Sequence, residues 1–256
     1  MKVVILAGGL GTRLAEETKL IPKPMVPVGG RPLLWHIMHH YARYDHKDFF
    51  LALGFKAELI KEYFLQYRTL NADFTVDLGS GSVTSHQLDE VDWSVTLVDT
   101  GLHTMTGGRV KRLESYIGNE AFLLTYGDGV ADVDIGKLVQ FHKEQGTLAT
   151  VTSVQPPGRF GTLNITHSKV TGFREKPRGD GGWVNGGFFV LSPRVMKFID
   201  NDSIAWERQP LETLASEGQL SAYHHNGFWQ AMDTHRDKVM LNELWENGKA
   251  AWKVWG

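Results

Sequence analysis

The chain contains no cysteine in its 256 residues, which excludes disulfides, thiolate metal sites and thiol nucleophiles. It also has no run of like charges and a formal net charge of only -2, so non-specific binding to nucleic acid has little electrostatic support. No apolar stretch approaches the roughly 20 residues of a membrane span, and the N-terminus lacks the charged and apolar regions of a signal peptide. These absences predict a cytoplasmic protein that binds neither nucleic acid nor a membrane.

Two common phosphate-binding motifs are missing as well. The dinucleotide fingerprint G-x-G-x-x-G begins at Gly9 and Gly11, but Leu14 stands where its third glycine would permit close packing of a helix against the strand. The P-loop of ordinary kinases and ATPases ends in Gly-Lys-Ser or Gly-Lys-Thr, and neither tripeptide occurs in the chain. A nucleotide-binding function therefore needs a different glycine-rich loop.

Such a loop directly follows the first predicted strand. The apolar run at 3–7 leads into Gly-Gly-Leu-Gly-Thr-Arg-Leu at 8–14, and Pro-Lys-Pro follows at 22–24. Glycines let backbone N–H groups approach a phosphate chain without a Cβ in the way. Arg13 and Lys23 bring positive charge to the same place, so the segment predicts binding of nucleotide phosphates. The alternative is a glycine-rich turn without a ligand.

Strand and helix patterns alternate through the first half of the chain. Short apolar runs bounded by turn residues predict strands, and segments with a helical apolar period predict helices. In chain order, the predicted elements are a strand at 3–7, a helix at 32–44, a strand at 49–53, a helix at 58–67, strands at 96–99 and 122–126, a helix at 135–144 and a strand at 149–154. This alternation predicts an α/β fold with a mainly parallel sheet.

The texture of the sequence changes near Pro156, where short strand patterns begin to alternate with glycine and aspartate turns. The predicted elements beyond it are strands at 162–166, 169–175 and 187–191 and a helix at 237–245. No linker, repeat or low-complexity tract separates the two parts. We therefore expect a single domain over 1–256, with a first half at 1–155 and a second half, rich in short strands, at 156–256.

Two aspartates are candidates for a metal site. Asp128 follows a predicted strand and lies between two glycines, and ligands of open α/β sheets bind just outside the carboxyl ends of the strands. A carboxylate with small neighbours can hold a hard cation such as Mg²⁺ there, and the alternative is an ordinary turn aspartate. Asp233 is the second candidate, with a helix N-cap as its alternative. The sequence alone does not show that the two meet.

Several motifs, taken in order, give the chain a resemblance to a known family. The loop at 8–14 followed by Pro-Lys-Pro at 22–24 is similar to the signature of the sugar-1-phosphate nucleotidyltransferases. The resemblance continues through Thr125-Tyr-Gly-Asp-Gly-Val130, Pro157-Gly-Arg-Phe-Gly161, Phe173-Arg-Glu-Lys-Pro177, Asn185-Gly-Gly-Phe-Phe189 and Gly227-Phe-Trp-Gln-Ala-Met-Asp-Thr234. It covers nearly the whole chain and points to the cytidylyl branch of the family.

The resemblance implies a Rossmann-like fold, in which helices flank a mixed, mainly parallel sheet and a small β-rich part faces the sugar. It implies CTP and glucose 1-phosphate as substrates, CDP-glucose and pyrophosphate as products, and Mg²⁺ as cofactor. A homo-oligomer and a place in CDP-sugar supply for bacterial surface polysaccharide are implied as well. In the family the matching aspartates bind the metal jointly, which assigns it to Asp128 and Asp233 here. The first half of the chain would then bind the nucleotide, and the second half the sugar.

The resemblance also assigns residues to each substrate. The catalytic positive charges are Arg13, Lys23 and Lys176. The nucleotide is assigned to Leu6, Ala7, Gly8, Gly9, Gly11, Thr12, Arg13, Lys23, Thr106, Gly107, Arg109 and Asp128. The sugar phosphate is assigned to Tyr126, Gly127, Gly161, Glu175, Lys176, Asn185, Gly186 and Asp233. Within the second set, Lys176 is expected on the phosphate and Glu175 on the sugar hydroxyls.

The segment Thr106-Gly-Gly-Arg109 lies where the family has a base-binding loop. Arginine is a donor only, so Arg109 is expected to bond O2 and N3 of cytosine and to face the N3–H of uracil unfavourably. Backbone carbonyls near Gly8 are expected to accept from the cytosine amino group. The alternative for Arg109 is a solvated charge at the start of a helix.

Other functions are weighed against this one. A uridylyl- or thymidylyltransferase acting on a related sugar phosphate is the alternative within the class, and a non-catalytic nucleotide-sugar sensor is the alternative outside it. The predicted cations and metal ligands together argue against the sensor. A zinc site at His36, His39 and His40 has suitable i, i+3, i+4 spacing, but we reject it because the helix is mostly apolar and carries no carboxylate in the cluster.

Overall fold

The architecture is that of a computed structural model, which describes residues 1–11, 14–88, 91–156, 162–174 and 182–256. Its strands are, in chain order, β1 (Lys2–Leu6), β2 (Pro27–Val28), β3 (Arg31–Pro32), β4 (Asp48–Leu53), β5 (Ala72–Val76), β6 (Val83–Leu88), β7 (Ser94–Asp99), β8 (Phe122–Tyr126), β9 (Gly129–Ala131), β10 (Ala149–Val154), β11 (Thr162–Thr166), β12 (Lys169–Arg174), β13 (Val184–Leu191), β14 (Leu220–His225) and β15 (Trp229–Ala231). Its α-helices are α1 (Ala15–Thr18), α2 (Leu33–Ala42), α3 (Ala57–Leu65), α4 (Tyr67–Leu70), α5 (Thr106–Arg112), α6 (Glu114–Ile117), α7 (Ile135–Gln145), α8 (Gln209–Ser216) and α9 (His235–Glu246). Further 3-10 helices lie at Lys23–Met25 and Pro193–Phe198.

Seven of these strands form one central sheet in the order β14-β10-β13-β8-β1-β4-β7. β1 runs parallel to both of its neighbours, β4 and β8, and β4 runs parallel to β7. On the other side of the sheet, β13 runs antiparallel to β8 and β10, while β10 and β14 are parallel. The sheet is therefore mixed and mainly parallel, which confirms the fold class predicted from the sequence.

Apolar side chains cover both faces of this sheet. In β1, Val3 and Ile5 belong to the hydrophobic core on one face and Val4 and Leu6 to the core on the other, and all four are buried. Helices α2, α3, α7 and α9 contribute to the first core, and α5, α6 and α8 contribute to the second. A strand that is covered on both faces needs a continuous apolar run, which is why β1 carries no alternating polar residues.

The strand order places a crevice at the end of β1. One neighbour of β1 is β4, the next long strand along the chain, and the other is β8, which comes much later. The connections therefore diverge at the carboxyl end of β1, and ligands of open α/β sheets bind at such a switch point. Leu6 at the end of β1 is paired with Tyr126 at the end of β8. This register brings the glycine-rich loop and Gly127-Asp128 to the same edge of the sheet.

Most predicted elements agree with the structure to within a few residues. The strands predicted at 122–126, 149–154 and 162–166 are β8, β10 and β11, with the same bounds. The second half contributes the antiparallel hairpin of β11 and β12. None of the helices in the described ranges is long and apolar enough to cross a membrane.

The sequence does not predict the hairpin of β5 and β6. Its apolar residues form no buried run, since Phe74, Val76 and Val83 are 44%, 41% and 52% exposed, and buried runs are what a sequence pattern detects best. The division into halves at 155/156 stays a prediction. In the sheet, β13 from the second half lies between β8 and β10 from the first.

Candidate active site

A cavity of about 660 Å³ opens at the carboxyl edge of the sheet. Its size suits a ligand as large as a nucleotide. The glycine loop after β1, the 3-10 helix at Lys23, the stretch between β7 and α5, and the turn after β8 all line it. The predicted site residues in its lining are Leu6, Ala7, Gly8, Gly9, Gly11, Lys23, Thr106, Arg109, Tyr126, Gly127, Asp128 and Asp233.

Some predicted residues are not among the residues that line this cavity. Gly107, Asn185 and Gly186 are described but do not line it. The predicted residues that lie outside the described ranges are Thr12, Arg13, Gly161, Glu175 and Lys176. The roles assigned to those five stay predictions.

Lys23, Asp128 and Asp233 meet in the cavity, although 105 and 210 residues separate the lysine from the two aspartates. Lys23 Nζ donates to Asp128 Oδ2 at 2.8 Å and to Asp233 Oδ1 at 2.7 Å. Lys23 is 9% exposed, whereas the two carboxylates are partly open. A buried ammonium between two carboxylates in a cleft is typical of a functional site.

Local structure explains how these three side chains are held. Lys23 begins a 3-10 helix between two prolines, which restrict its backbone. Asp128 lies in the turn between β8 and β9, and its carbonyl accepts from Met232 N at 2.8 Å. β9 in turn pairs with β15, which ends two residues before Asp233. The main chain therefore fixes the two aspartates relative to each other.

The charge state of Lys23 follows from its surroundings. Burial alone would lower the pKa of its ammonium, but the carboxylates of Asp128 and Asp233 together raise that pKa above the ordinary value. Lys23 is therefore a permanent positive charge at neutral pH. It is held beside two negative charges at the wall of the cavity.

Asp128 and Asp233 also fit a hard divalent cation. Carboxylate oxygens are the ligands that such ions prefer, and here two of them converge on one positive charge. Within the described chain, no cluster of three or more His, Asp or Glu side chains is present to complete a cage. A cation held by two carboxylates takes its remaining ligands from substrate phosphates and water.

Arg109 lies in helix α5, and not in the loop that the resemblance implied. It is 4% exposed. Its Nη1 donates to Leu53 O at 2.9 Å and to Thr100 Oγ1 at 2.7 Å, and its Nη2 donates to Gly8 O at 2.9 Å. Arg109 thus ties the glycine loop to the ends of β4 and β7. The contact of Arg109 with cytosine stays a prediction. The bonds to Leu53, Thr100 and Gly8 favour a role in which Arg109 holds the glycine loop and does not touch the base.

Only glycine fits at position 8, because Arg109 and Gly54 lie close to its Cα. A Cβ at Gly8 would overlap the guanidinium of Arg109 and lie 2.9 Å from Gly54 N. The Gly8 carbonyl accepts from Arg109 Nη2 and also from Phe55 N at 3.2 Å. With two donors already, it is a poor acceptor for the amino group of a base. Hydrogen bonds from Arg109 and Phe55 therefore hold the start of the glycine loop in place at the cavity wall.

Asn185 reaches the site through Tyr126. Asn185 Nδ2 donates to the Tyr126 hydroxyl at 3.2 Å, and Tyr126 lines the cavity. Gly186, the next residue, presents its carbonyl to Trp229 Nε1 at 2.8 Å. Tyr126, Asn185 and Gly186, all predicted for the sugar phosphate, therefore lie close together. They are at the end of β8 and the beginning of β13, beside the beginning of β15.

Two features of the site belong to no motif, and the sequence analysis missed them. The segment 102–105 lines the cavity directly after β7, and its place after a parallel strand is the one signal that could have revealed it. Glu207 is the other feature. Thr106 Oγ1 donates to Glu207 Oε2 at 2.6 Å, and nothing in the sequence around Glu207 indicates this contact.

Comparisons with known proteins agree with the geometry of this site. The sequence model of the nucleotidyl transferase family matches residues 2–246. The chain is 56% identical to the glucose-1-phosphate cytidylyltransferase of Salmonella typhimurium over 256 residues, which is all of both chains. It is 44% identical to the probable glucose-1-phosphate cytidylyltransferase of Bacillus subtilis, again over all of both chains.

A solved structure supports the fold separately. The putative glucose-1-phosphate thymidylyltransferase of Bacillus anthracis superimposes with a TM-score of 0.70 and 22% identity, covering 100% of this chain and 97% of that chain. At this identity the likeness concerns the fold alone. Nucleotidyl transferases generally use a divalent metal, in keeping with the two aspartates. Because the family match spans nearly the whole chain and the relatives match it from end to end, the chain is an enzyme that belongs to the nucleotidyl transferase family.

Proposed function

We propose that the chain transfers CMP from CTP to α-D-glucose 1-phosphate, forming CDP-glucose and pyrophosphate. The full-length relatives, at 56% and 44% identity, are a glucose-1-phosphate cytidylyltransferase and a probable one. The observation that carries the proposal in this chain is the meeting of Lys23 with Asp128 and Asp233 beside the glycine loop. That arrangement suits a reaction in which two polyanions must be brought together.

The reaction is a displacement at the α-phosphorus of CTP. A phosphate oxygen of glucose 1-phosphate forms the new P–O bond, while the bond from the α-phosphorus to the oxygen that bridges to the β-phosphate breaks, and pyrophosphate leaves in line. The attacking phosphate is already an anion at neutral pH, because the second pKa of a phosphate monoester is about 6. No side chain therefore has to remove a proton, and no nucleophilic side chain is needed.

Repulsion between the two polyanions is the barrier that the chain's own residues lower. Lys23 supplies a buried positive charge on a stiff backbone, so little entropy is lost when it contacts a phosphate. With its carboxylate partners engaged elsewhere, Lys23 can donate to phosphate oxygens. Mg²⁺ held by Asp128 and Asp233 would neutralise phosphate charge when bound. Arg13 and Lys176 are predicted to add positive charge on the two substrates.

Further parts of the proposal rest on the family resemblance. They are Mg²⁺ as the particular divalent ion, a homo-oligomeric assembly, a cytoplasmic location and the supply of CDP-glucose for surface polysaccharide. The division of the chain into a nucleotide half and a sugar half has the same basis.

A pyrophosphate-release assay with a panel of nucleoside triphosphates tests the proposal. With glucose 1-phosphate and Mg²⁺, kcat/KM for CTP should exceed that for UTP by about tenfold or more, because a misplaced buried donor costs about 1–3 kcal/mol. Lys23→Ala should lower kcat/KM for CTP by about a hundredfold. Lys47→Ala removes a surface lysine paired with Asp92 and should leave the value within about twofold.

Other results of this assay would replace the proposal. A higher kcat/KM with UTP or dTTP would make the chain a uridylyl- or thymidylyltransferase. Release of no pyrophosphate with any triphosphate would favour a non-catalytic sensor.

A further inference from the structure

Asp237 lies in the first turn of α9, four residues after Asp233. Its carboxylate accepts four hydrogen bonds: Oδ2 accepts from Asp233 N at 3.1 Å, Thr234 N at 2.8 Å and Thr234 Oγ1 at 2.8 Å, and Oδ1 accepts from Gln230 Nε2 at 3.0 Å. A carboxylate has about four acceptor positions, so the neighbouring residues use all that Asp237 offers.

Two of these bonds go beyond what the helix requires. In a capping box, the N-cap side chain accepts from the third helical N–H, and the third helical side chain accepts from the N-cap N–H. Thr234 and Asp237 make that pair of bonds at the start of α9. The bonds from Asp233 N and Gln230 Nε2 are no part of it. Asp237 therefore also holds the segment that leads into the helix.

One oxygen of Asp237 binds the peptide N–H groups on both sides of the Asp233 Cα. The N–H of Asp233 precedes this Cα and that of Thr234 follows it, and both donate to Oδ2. Two successive N–H groups that converge on one anion fix the backbone rotation between them. This rotation sets the direction in which the Asp233 side chain leaves the main chain, where Asp233 Oδ1 lies 2.7 Å from Lys23 Nζ.

The bond from Gln230 connects Asp237 to the strands beside both aspartates. Gln230 lies in β15, opposite Val130 in β9, and β9 begins directly after Asp128. Met232 N, one residue after β15, donates to Asp128 O at 2.8 Å. Asp237 therefore ties α9 to the strand pair that holds Asp128 and Asp233 at their relative positions.

Helix α9 is itself anchored to the rest of the molecule. Leu241 is 0% exposed and belongs to the first hydrophobic core. Asn242 Oδ1 accepts from Gly29 N at 2.9 Å, between β2 and β3. Lys238 Nζ lies 2.5 Å from Glu17 Oε1 in α1, the helix after the glycine loop. A side chain in the first turn of α9 therefore holds Asp233 against an element that cannot shift freely.

We propose that Asp237 is a positioning residue that holds Asp233 in the direction needed to bind a divalent cation. Loss of a side chain that orients a metal ligand lowers metal affinity or activity by about 10–100-fold. The inference rests on the proposed function, because that function assigns the cation to Asp128 and Asp233. It adds to the site a residue that no sequence motif includes.

Asp237→Ala removes every acceptor of this network and leaves both proposed ligands in place. The probe is Mn²⁺ alone, and the free ion that remains in solution is measured by electron paramagnetic resonance. We expect the Kd of Mn²⁺ to rise about tenfold or more. Asp237→Asn keeps one acceptor oxygen for the two peptide N–H groups, so its Kd should stay within about threefold of the parent value.

The Mg²⁺ dependence of CMP transfer gives a second readout. In Asp237→Ala, the Mg²⁺ concentration for half-maximal rate should rise about as much as the Kd of Mn²⁺. Excess Mg²⁺ should restore kcat to within about threefold of the parent, because the metal ligands themselves remain. A kcat that stays low at every Mg²⁺ concentration would overturn the positioning role.

Asp134→Ala is the matched control for the loss of a helix cap. Asp134 caps α7, accepts from Lys137 N at 2.9 Å and is not among the residues that line the cavity. Both alanine variants should lower the thermal midpoint by a few degrees, but only Asp237→Ala should weaken Mn²⁺ binding. The proposal is wrong if Asp237→Ala binds Mn²⁺ like the parent, or if Asp134→Ala weakens binding equally.

Two further readings separate this proposal from the proposed function. Mn²⁺ binding that Asp233→Asn leaves unchanged would place the cation elsewhere and overturn the positioning role. If Asp233→Asn and Asp237→Ala both weaken Mn²⁺ binding but the parent transfers no CMP, the positioning role stands and the proposed function is rejected. If the parent transfers CMP while Asp237→Ala binds Mn²⁺ normally, the function stands and the positioning role is rejected.

Discussion

The ammonium group of Lys23 contacts one carboxylate oxygen of Asp128 and one of Asp233. The side chains of the two aspartates are 37% and 26% exposed, so each has an outer part that a ligand can reach. If either carboxylate is removed, the lysine still has the other as a partner. Changes at the aspartates should therefore affect chemistry far more than folding.

Asp128→Asn and Asp233→Asn should each lower kcat by about a hundredfold to a thousandfold, because a lost charged metal ligand removes about 3–4 kcal/mol of transition-state stabilisation. The thermal midpoint should fall by only a few degrees. Steady-state pyrophosphate release and scanning calorimetry measure the two effects. Asp92→Asn changes a surface aspartate paired with Lys47 and serves as the control. Normal turnover by either variant with Mg²⁺ would mean that its aspartate is not a metal ligand.

Arg109→Ala should lower the free energy of unfolding by about 2–4 kcal/mol, because it removes three buried hydrogen bonds and opens a cavity. Arg112→Ala, in the same helix, removes an exposed ion pair with Asp202 and should lower the free energy of unfolding far less than Arg109→Ala does. Urea unfolding compares the two variants. Because Arg109 holds the glycine loop in place, Arg109→Ala should have lower activity than the parent. Its ratio of kcat/KM for CTP to that for UTP should be nearly unchanged. A ratio that shrinks about tenfold would instead place Arg109 on the base.

Among the secondary-structure elements, helix α2 buries two of its histidines in neutral form. His36 Nε2 lies 2.8 Å from Val28 O, and Trp252 Nε1 donates to His36 Nδ1 at 3.3 Å. Because an indole N–H only donates, Nδ1 must be unprotonated and Nε2 carries the hydrogen. His40 Nε2 likewise lies 2.8 Å from Val133 O. Burial lowers the pKa of both histidines to about 4.

The free energy of unfolding should therefore decrease as the solution is made more acidic. The folded pKa of His36 and His40 is about 4 and the unfolded value is 6.5, so the unfolded chain binds more protons between these values and the free energy of unfolding decreases as pH falls through this window. At about pH 5 each histidine should cost on the order of 1–2 kcal/mol relative to neutral pH. Urea unfolding at the two pH values measures the loss. His36→Gln should reduce the change of the free energy of unfolding with pH, and His86→Gln, at an exposed position, should not. A parent protein whose urea midpoint does not change with pH would contradict this prediction.

The elements also differ in how much the sequence reveals of them. β1 and β8 are buried apolar runs, and their bounds follow from the pattern to within one residue. Helix α5 contains Gly107 and Gly108, and glycine costs about 1 kcal/mol per residue in a helix. Backbone hydrogen bonds to a distant segment offset that cost. Met105 N donates to Asp202 O at 2.8 Å, and Gly108 N donates to Ile204 O at 3.2 Å. A pattern within α5 cannot reveal bonds to a segment almost 100 residues away. The family resemblance placed a loop here, with the start of a helix as the alternative.

For the whole molecule, the parallel sheet is what assembles the site. Lys23 was predicted because it follows the glycine loop, and Asp128 because it follows a strand and lies between two glycines. Asp233 was predicted from its place between an aromatic stretch and a helix. The meeting of the two aspartates was implied by the family resemblance and not by the residues themselves, and the contact of Lys23 with both carboxylates was not predicted. The partners of Arg109 and the presence of Glu207 could not be predicted, since both depend on how distant segments pack around α5.

Transfer of the α-phosphate of CTP tests the central claim most directly. Incubation of the protein with α-³²P-labelled CTP, glucose 1-phosphate and Mg²⁺ should move the label into CDP-glucose, in an amount equal to the pyrophosphate released. The transfer should require glucose 1-phosphate and should be nearly lost in Asp233→Asn. Label that stays in CTP, or that appears as free CMP without glucose 1-phosphate, would contradict the account.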